Sequence, residues 1–138
     1  MQIQRIQTLF LLIAAILTGA FCFLPYATID VDGEIKKLFV SDVLVLMIFN
    51  LTITALLVIT IFLYRNIRFQ MKIAKIDIAL VVGSVITTLV YIYVGNARPV
   101  PAFCGGAIML AIAEAFIVAA YRKMDKDRKL LASVDRIR

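Results

Sequence analysis

Histidine and tryptophan do not occur in this chain, and it has only two cysteines and three prolines among 138 residues. The lack of histidine removes the commonest general base and the commonest transition-metal ligand. No nucleophile–base pair and no metal-ligand cluster can be assembled from what remains. That sets enzyme readings behind all others and leaves no cofactor or metal to expect. Charge is scarce too: Asp, Glu, Lys and Arg make up 17% of the residues. What is present instead is apolar. Hydrophobic residues reach 63%, against about 45–50% in an ordinary soluble domain, and the mean hydropathy is +0.99. So short a chain cannot hide that surplus in a water-soluble core, and a lipid solvent is the economical reading.

The few charges divide the chain. None occurs between Arg5 and Asp30, between Asp42 and Arg65, or between Asp77 and Arg98; after Arg98 come Glu114 and then Arg122. A helix needs about 20 apolar residues to cross a hydrocarbon core of about 30 Å. Four stretches meet that length, at about 7–24, 43–64, 78–94 and 102–121. Many of their residues are β-branched, but in lipid an isolated segment satisfies its backbone only as a helix. The expected fold is therefore an all-α membrane protein, a four-transmembrane-helix bundle forming a single domain. The first stretch starts after Arg5, yet its apolar run exceeds the 7–15 residues of a signal peptide. Its exit "TGAFCFLPYA" also lacks a small-x-small cleavage site, so we expect the helix to be retained.

Lys and Arg set the orientation. All but three of the 15 basic residues fall at the amino terminus, in the connection after the second helix, or in the tail. The exceptions, Lys36, Lys37 and Arg98, share their side with Asp30, Asp32, Glu34 and Asp42. The expectation is a multi-pass protein of a bacterial inner membrane with both termini cytoplasmic. The same charges make nucleic acid a poor partner, since orientation already demands them.

Between the first two helices, Asp32-Gly33 separates "ATIDV" from "EIKKLFV". Asp-Gly between β-branched runs is a strong hairpin signal, because a type I′ turn needs positive φ at both central residues. An outer β-hairpin over 27–40 is expected. Asp30-x-Asp32-Gly33 also resembles the start of a calcium loop, but the later acids of that template are missing. The middle connection "RNIRFQMKIAKID" either extends the second and third helices or lies on the inner surface, where its cations meet anionic headgroups. "GNARPVPAF" should be stiff and non-helical because of Pro99 and Pro101.

One acid stands inside an apolar helix. Glu114 in "LAIAEAFIVAA" is eight residues before Arg122, which is about 12 Å along a helix. An intramembrane acid is by default a functional-site hypothesis, and its partner should be named. Depth selects Ser84 and Thr87 on the third helix; Asn50 lies nearer the outer side. The functional alternative is a proton or cation site facing a cavity. The plainer alternative is a polar contact that fixes the register of the fourth helix against the third. A proton path usually needs a relay of ionisable groups, and none is evident beside Glu114, so packing is ranked first. Ala107, Ala111, Ala115 and Ala119 form a small-residue stripe next to it, and Ala15 and Gly19 form a similar pair on the first helix.

Cys22 and Cys104 both fall near the outer face, so a disulfide between them stands as a candidate beside two separate, buried thiols. In the tail, Leu130, Leu131, Val134 and Ile137 recur at helical spacing. Lys123–Asp127 and Asp125–Lys129 place opposite charges four residues apart. The tail over 122–138 is then either a continuation of the fourth helix or an amphipathic segment on the membrane surface.

The two ends of the chain are the most distinctive parts. "IQRIQTLFLLIAAIL" and "KDRKLLASVDRIR" resemble the ends of domain of unknown function 4293, a family of short inner-membrane proteins from Bacteroidota. Lys126, Asp127, Lys129, Leu130, Ser133, Asp135, Arg136 and Arg138 match the family's closing segment; Arg128 and Ala132 depart from it. "YRNIRFQMKIAKIDIAL" is similar to its central connection. The resemblance implies four membrane helices and carries over no activity or catalytic residue. It does suggest that Arg5, Asp135 and Arg136 at the two ends meet each other or a shared partner. The leading expectation is a non-enzymatic structural or accessory subunit that contacts another membrane protein or a second copy of itself. The alternative is a small transporter or ligand-binding protein centred on Glu114, Ser84 and Thr87. An apolar cavity leading to Glu114 would favour that alternative.

Overall fold

The computed structural model describes the backbone of residues 2–63, 65–94, 98–100 and 105–135, with the side chains of these apart from 2–5, 98–99 and 135. Four α-helices follow one another: α1 (Gln2–Phe21), α2 (Leu44–Phe62), α3 (Ile67–Val94) and α4 (Gly105–Asp135). Strands β1 (Ala27–Val31) and β2 (Glu34–Leu38) lie between α1 and α2, and a two-residue strand β3 (Arg98–Pro99) precedes α4.

Among the described residues, three helices are long and apolar enough to cross a membrane: Leu44–Phe62, Ile67–Val94 and Gly105–Val134. The apolar part of α1, Ile6–Phe21, is shorter. Only 28%, 28% and 22% of the apolar windows of α2, α3 and α4 are buried. Ile16, Leu51, Phe62 and Ile86 point outward. A soluble helix hides one apolar stripe and shows a polar face; these helices are apolar on both.

Two helices are longer than the charge pattern suggests. α3 begins at Ile67, not near residue 78. Asn66 starts it: its carbonyl accepts the Phe69 and Gln70 N–H groups at 3.1 and 3.0 Å, and its Oδ1 also faces the Phe69 N–H at 3.3 Å. Such a cap supplies acceptors for a first turn that has none of its own. Met71, Ile73 and Ala74 are then buried in the core, so the basic connection is the first third of a helix. α4 runs on through Asp135, so the tail continues the helix. Asp125 supports it by accepting from Arg128 at 2.9 Å and Lys129 at 2.8 Å.

α1 packs mainly on α4 and also on α2, while α3 packs on α2 and α4. The core is built from Leu11, Ala14, Ile53, Leu57, Ile117, Ala120 and Met124, all almost inaccessible. Ala14 and Ala120 let the backbones approach, and Met124 fills the irregular space left over. Near the chain termini the Gln7 amide donates to the Asp127 carboxylate, tying α1 to the extension of α4. The expected Lys123–Asp127 pair gives way to this bond.

At the other end, Asp32 and Gly33 both have positive φ, 56° and 87°, which is what a type I′ turn requires. The Gly33 N–H donates to Asp30 Oδ1 at 2.9 Å. β1 and β2 pair antiparallel with Ala27 opposite Leu38 and Val31 opposite Glu34. The proline-containing connection adds a strand that its sequence does not announce. Arg98 and Pro99 pair with Asp30 and Ile29, and the Val100 N–H donates to the Thr28 carbonyl at 3.0 Å. Pro99 is tolerated because β3 is an edge strand, where one side needs no donor. The sheet sits over a second apolar cluster of Phe21, Tyr26, Ile29, Leu38, Val40 and Val43. Gly106 closes this end: its N–H donates to the Pro25 carbonyl at 3.1 Å. A Cβ there would come within 2.8 Å of that same oxygen.

Candidate functional site

A cavity of about 460 Å³ lies between α2, α3 and α4, with Phe21 and Tyr26 at its hairpin end. That volume is in the range of small-molecule pockets, about 300–1,000 Å³. Its wall is almost wholly apolar: Leu46 and Ile53 from α2, Val81, Val85 and Leu89 from α3, and Leu110 from α4. Val82, Val85, Ile86 and Leu89 on α3, with Ala107 and Ala111 on α4, line it and are also exposed on the outside. The mouth therefore opens sideways between α3 and α4, toward whatever solvates the apolar surface.

Glu114 lines the end of the cavity nearer the chain termini, and Ser84 shares the wall with it. Thr87 does not line the cavity; its hydroxyl donates to the Gly83 carbonyl at 2.9 Å. Thr88, one residue on, lines it instead. Ser84 and Thr88 donate to the Val81 and Ser84 carbonyls at 2.7 and 2.9 Å, which leaves their oxygen lone pairs as acceptors. Asn50, which depth alone made a less natural mate of Glu114, is in the same wall. Its Nδ2 donates to the Thr18 carbonyl at 3.1 Å and to Cys22 Sγ at 2.9 Å. Thr54 donates to Thr18 Oγ1 at 3.1 Å and completes this polar link between α1 and α2.

Among the described residues, three that line the cavity carry a buried polar atom without a hydrogen-bond partner: Tyr26 Oη, Asn50 Oδ1 and Glu114 Oε2. Burying a polar atom unpaired costs stability, so each such atom in a native fold asks for an explanation. Burial pushes the Tyr26 phenol well above its ordinary value, with Tyr91 and Asp42 adding to the effect. Its hydroxyl thus stays neutral and available as a donor.

The residue that sequence reasoning missed is Asp77. It is wholly buried, 0% exposed, and neither carboxylate oxygen has a partner among the described residues. It lies within electrostatic range of Glu114. As the last charge before an apolar run, Asp77 marks a membrane boundary in the sequence, but α3 begins ten residues earlier and carries it inward. The available signal was spacing. Asp77, Val81, Ser84 and Thr88 follow one another at steps of four, three and four, so they share one helix face.

The remaining expected residues are dispersed. Ala15 is buried, whereas Gly19 is only partly buried. Ala107 and Ala111 are cavity-wall residues, and Ala115 borders a shallower groove with Phe10, Arg122 and Lys126. Among the described residues, no helix covers Ala107, Ala111 and Ala115, which are exposed; Ala119, the last of the stripe, is partly buried. The face of α4 that packs is Ala113, Ile117, Ala120 and Met124. Cys22 is a free thiol that accepts from Asn50; Cys104 lies outside the described residues. So does Arg136, as do the side chains of Arg5 and Asp135.

Comparison with curated proteins and with solved structures finds no match. The family model for a domain of unknown function (DUF4293) matches residues 3–137, nearly the whole chain, and the protein belongs to that family.

Proposed function

We propose that this is a four-helix membrane protein that binds a hydrophobic ligand drawn from the bilayer, with Glu114 as the polar anchor of the site. The observation that carries the proposal is the sideways-opening apolar cavity with Glu114 and Ser84 in its wall. A structural subunit needs no such space, since bundles close-pack when nothing must enter. In this arrangement α1 crosses the membrane with the other three helices. The Lys and Arg bias puts both termini on the cytoplasmic side of a bacterial inner membrane and the hairpin outside. Reporter fusions at residue 33 and at the carboxyl terminus test that topology; opposite sides are expected.

The binding test uses the purified protein in nanodiscs of zwitterionic lipid with a photoactivatable long-chain alcohol. Cross-links are expected at cavity residues such as Val85 and Leu110, and Ala111→Phe, which fills the mouth, should remove them. Label spread over all exposed apolar residues, unchanged by Ala111→Phe, would sink the proposal. A second role, as an accessory subunit in a membrane complex, draws support from the exposed small residues of α4 and the exposed Leu130, Leu131 and Val134 beyond them. Purification in mild detergent with mass spectrometry of retained partners addresses it.

A further inference from the structure

We infer that the cavity selects amphipathic amines, holding a cationic headgroup at Glu114 and an alkyl chain along the apolar wall. The inference rests on the cavity being a binding site and adds the chemistry of what it binds.

The polar groups around the cavity are unbalanced in one direction. Glu114 Oε2 and Asn50 Oδ1 are acceptors without a donor among the described residues. Ser84 and Thr88 have spent their hydroxyl protons on α3 carbonyls and offer only lone pairs. The Asn50 amide N–H groups are already engaged. Among the described residues, no lysine or arginine lines the cavity. The Tyr26 hydroxyl, at the opposite end, can take either part. A ligand that completes this set must bring donors, and a carboxylate or phosphate would meet a wall of acceptors.

Charge points the same way. Asp77 continues the Ser84–Thr88 face one turn beyond Val81, fully buried and unpartnered among the described residues. Across 6–21 of α1 and 44–62 of α2 there is no ionisable side chain. On α3 the basic residues are Arg68, Lys72 and Lys75; both lysines are exposed, and Lys75 lies over the Tyr121 ring at 5.6 Å. Tyr91 and Tyr93 are toward its hairpin end. On α4 the nearest cations are Arg122 and Lys123, both exposed. The buried Asp77 carboxyl and the half-buried Glu114 carboxyl therefore lie within electrostatic range of each other, with no cation beside them among the described side chains. Buried charges in proteins are paired, and a bound ammonium would supply the missing partner with charge-assisted hydrogen bonds. From Ala107 to Glu114 the wall runs seven residues along α4, about 10 Å of apolar length for an alkyl chain.

The test compares decylamine, decanol and decanoate, each radiolabelled, binding to the full-length protein in zwitterionic nanodiscs, with empty discs subtracted. Decylamine should bind at least about tenfold more tightly than decanol, the scale of one charge-assisted hydrogen bond, and decanoate least. In Glu114→Gln that amine-to-alcohol ratio should fall toward one. If Glu114→Gln fails to fold, Asp77→Asn reads the same ratio and should lower it. Equal binding of amine and alcohol, or a ratio indifferent to both substitutions, overturns the amine preference while leaving the cavity as a site. Tighter decanoate than decylamine overturns it as well. If none of the three binds and Ala111→Phe changes nothing, the cavity itself is not a binding site and the inference falls with it.

Discussion

Asp77 holds two buried oxygens that no donor among the described residues reaches, an arrangement that lowers stability and survives only where something else retains it. Replacing it with leucine should raise the thermal midpoint in mild detergent, by an amount corresponding to about 1–3 kcal/mol. A lower midpoint would show that Asp77 has a stabilising partner in the native state. Glycine gives a second contrast at this scale. A Cβ on Gly106 would press against the Pro25 and Leu24 carbonyls at 2.8 and 3.1 Å, and backbone cannot swing aside as a side chain can. Gly106→Ala should therefore cost about 1–3 kcal/mol. Gly19 has nothing within 4 Å of the same position, so Gly19→Ala should be neutral or gain about 0.5–1 kcal/mol from helix propensity. Equal midpoints for the two variants would contradict the close approach of α4 to the α1–β1 link.

Among the elements, α4 does the most. Its hairpin half lines the cavity, and its other half puts Met124 into the core and is tied to α1 through the Gln7–Asp127 hydrogen bond. Met124 is inaccessible to solvent, so Met124→Ala should lose about 2–5 kcal/mol. Proteolysis of the tail should speed up in that variant. If Met124→Ala leaves both midpoint and cleavage unchanged, the extension does not pack on α1. The element lengths were only partly legible in the sequence. Charge-free runs locate α2 and the core of α4, because no other structure suits about 20 apolar residues in a row. The same rule shortens α3, since Arg68, Lys72 and Lys75 look like a loop when charge is taken as the boundary. Their exposure on a helix whose opposite side buries Gln70, Ile73 and Ala74 is a matter of periodicity rather than of charge. β3 could not be read at all: two residues carry no period, and their pairing depends on β1 being alongside.

For the whole molecule, the outward apolar surface is itself testable. In lipid, a photoactivatable apolar reagent should label Ile16, Leu51, Phe62 and Ile86, which are exposed, in preference to Ile53, Leu57 and Ile117, which are buried. Uniform labelling would mean that the helices do not pack as described. The sequence by itself determined the apolar character of the long helices, the hairpin turn and the family, because each rests on local composition or on a few adjacent residues; the fourth expected span, in α1, is shorter than the other three. Asp32-Gly33 is the clearest case, where two residues suffice to choose the turn. Only the tertiary structure decided which polar residues share a space. Glu114 and Ser84 were matched by depth, but Asn50 and Tyr26 join them in the cavity wall, and Asp77 comes within electrostatic range of Glu114, through the packing of α1 and α3 on α4 and of α2 on α1 and α3. Depth is one coordinate along a helix axis; rotation about that axis and the choice of neighbour are set by the side chains of other helices, which no single segment contains.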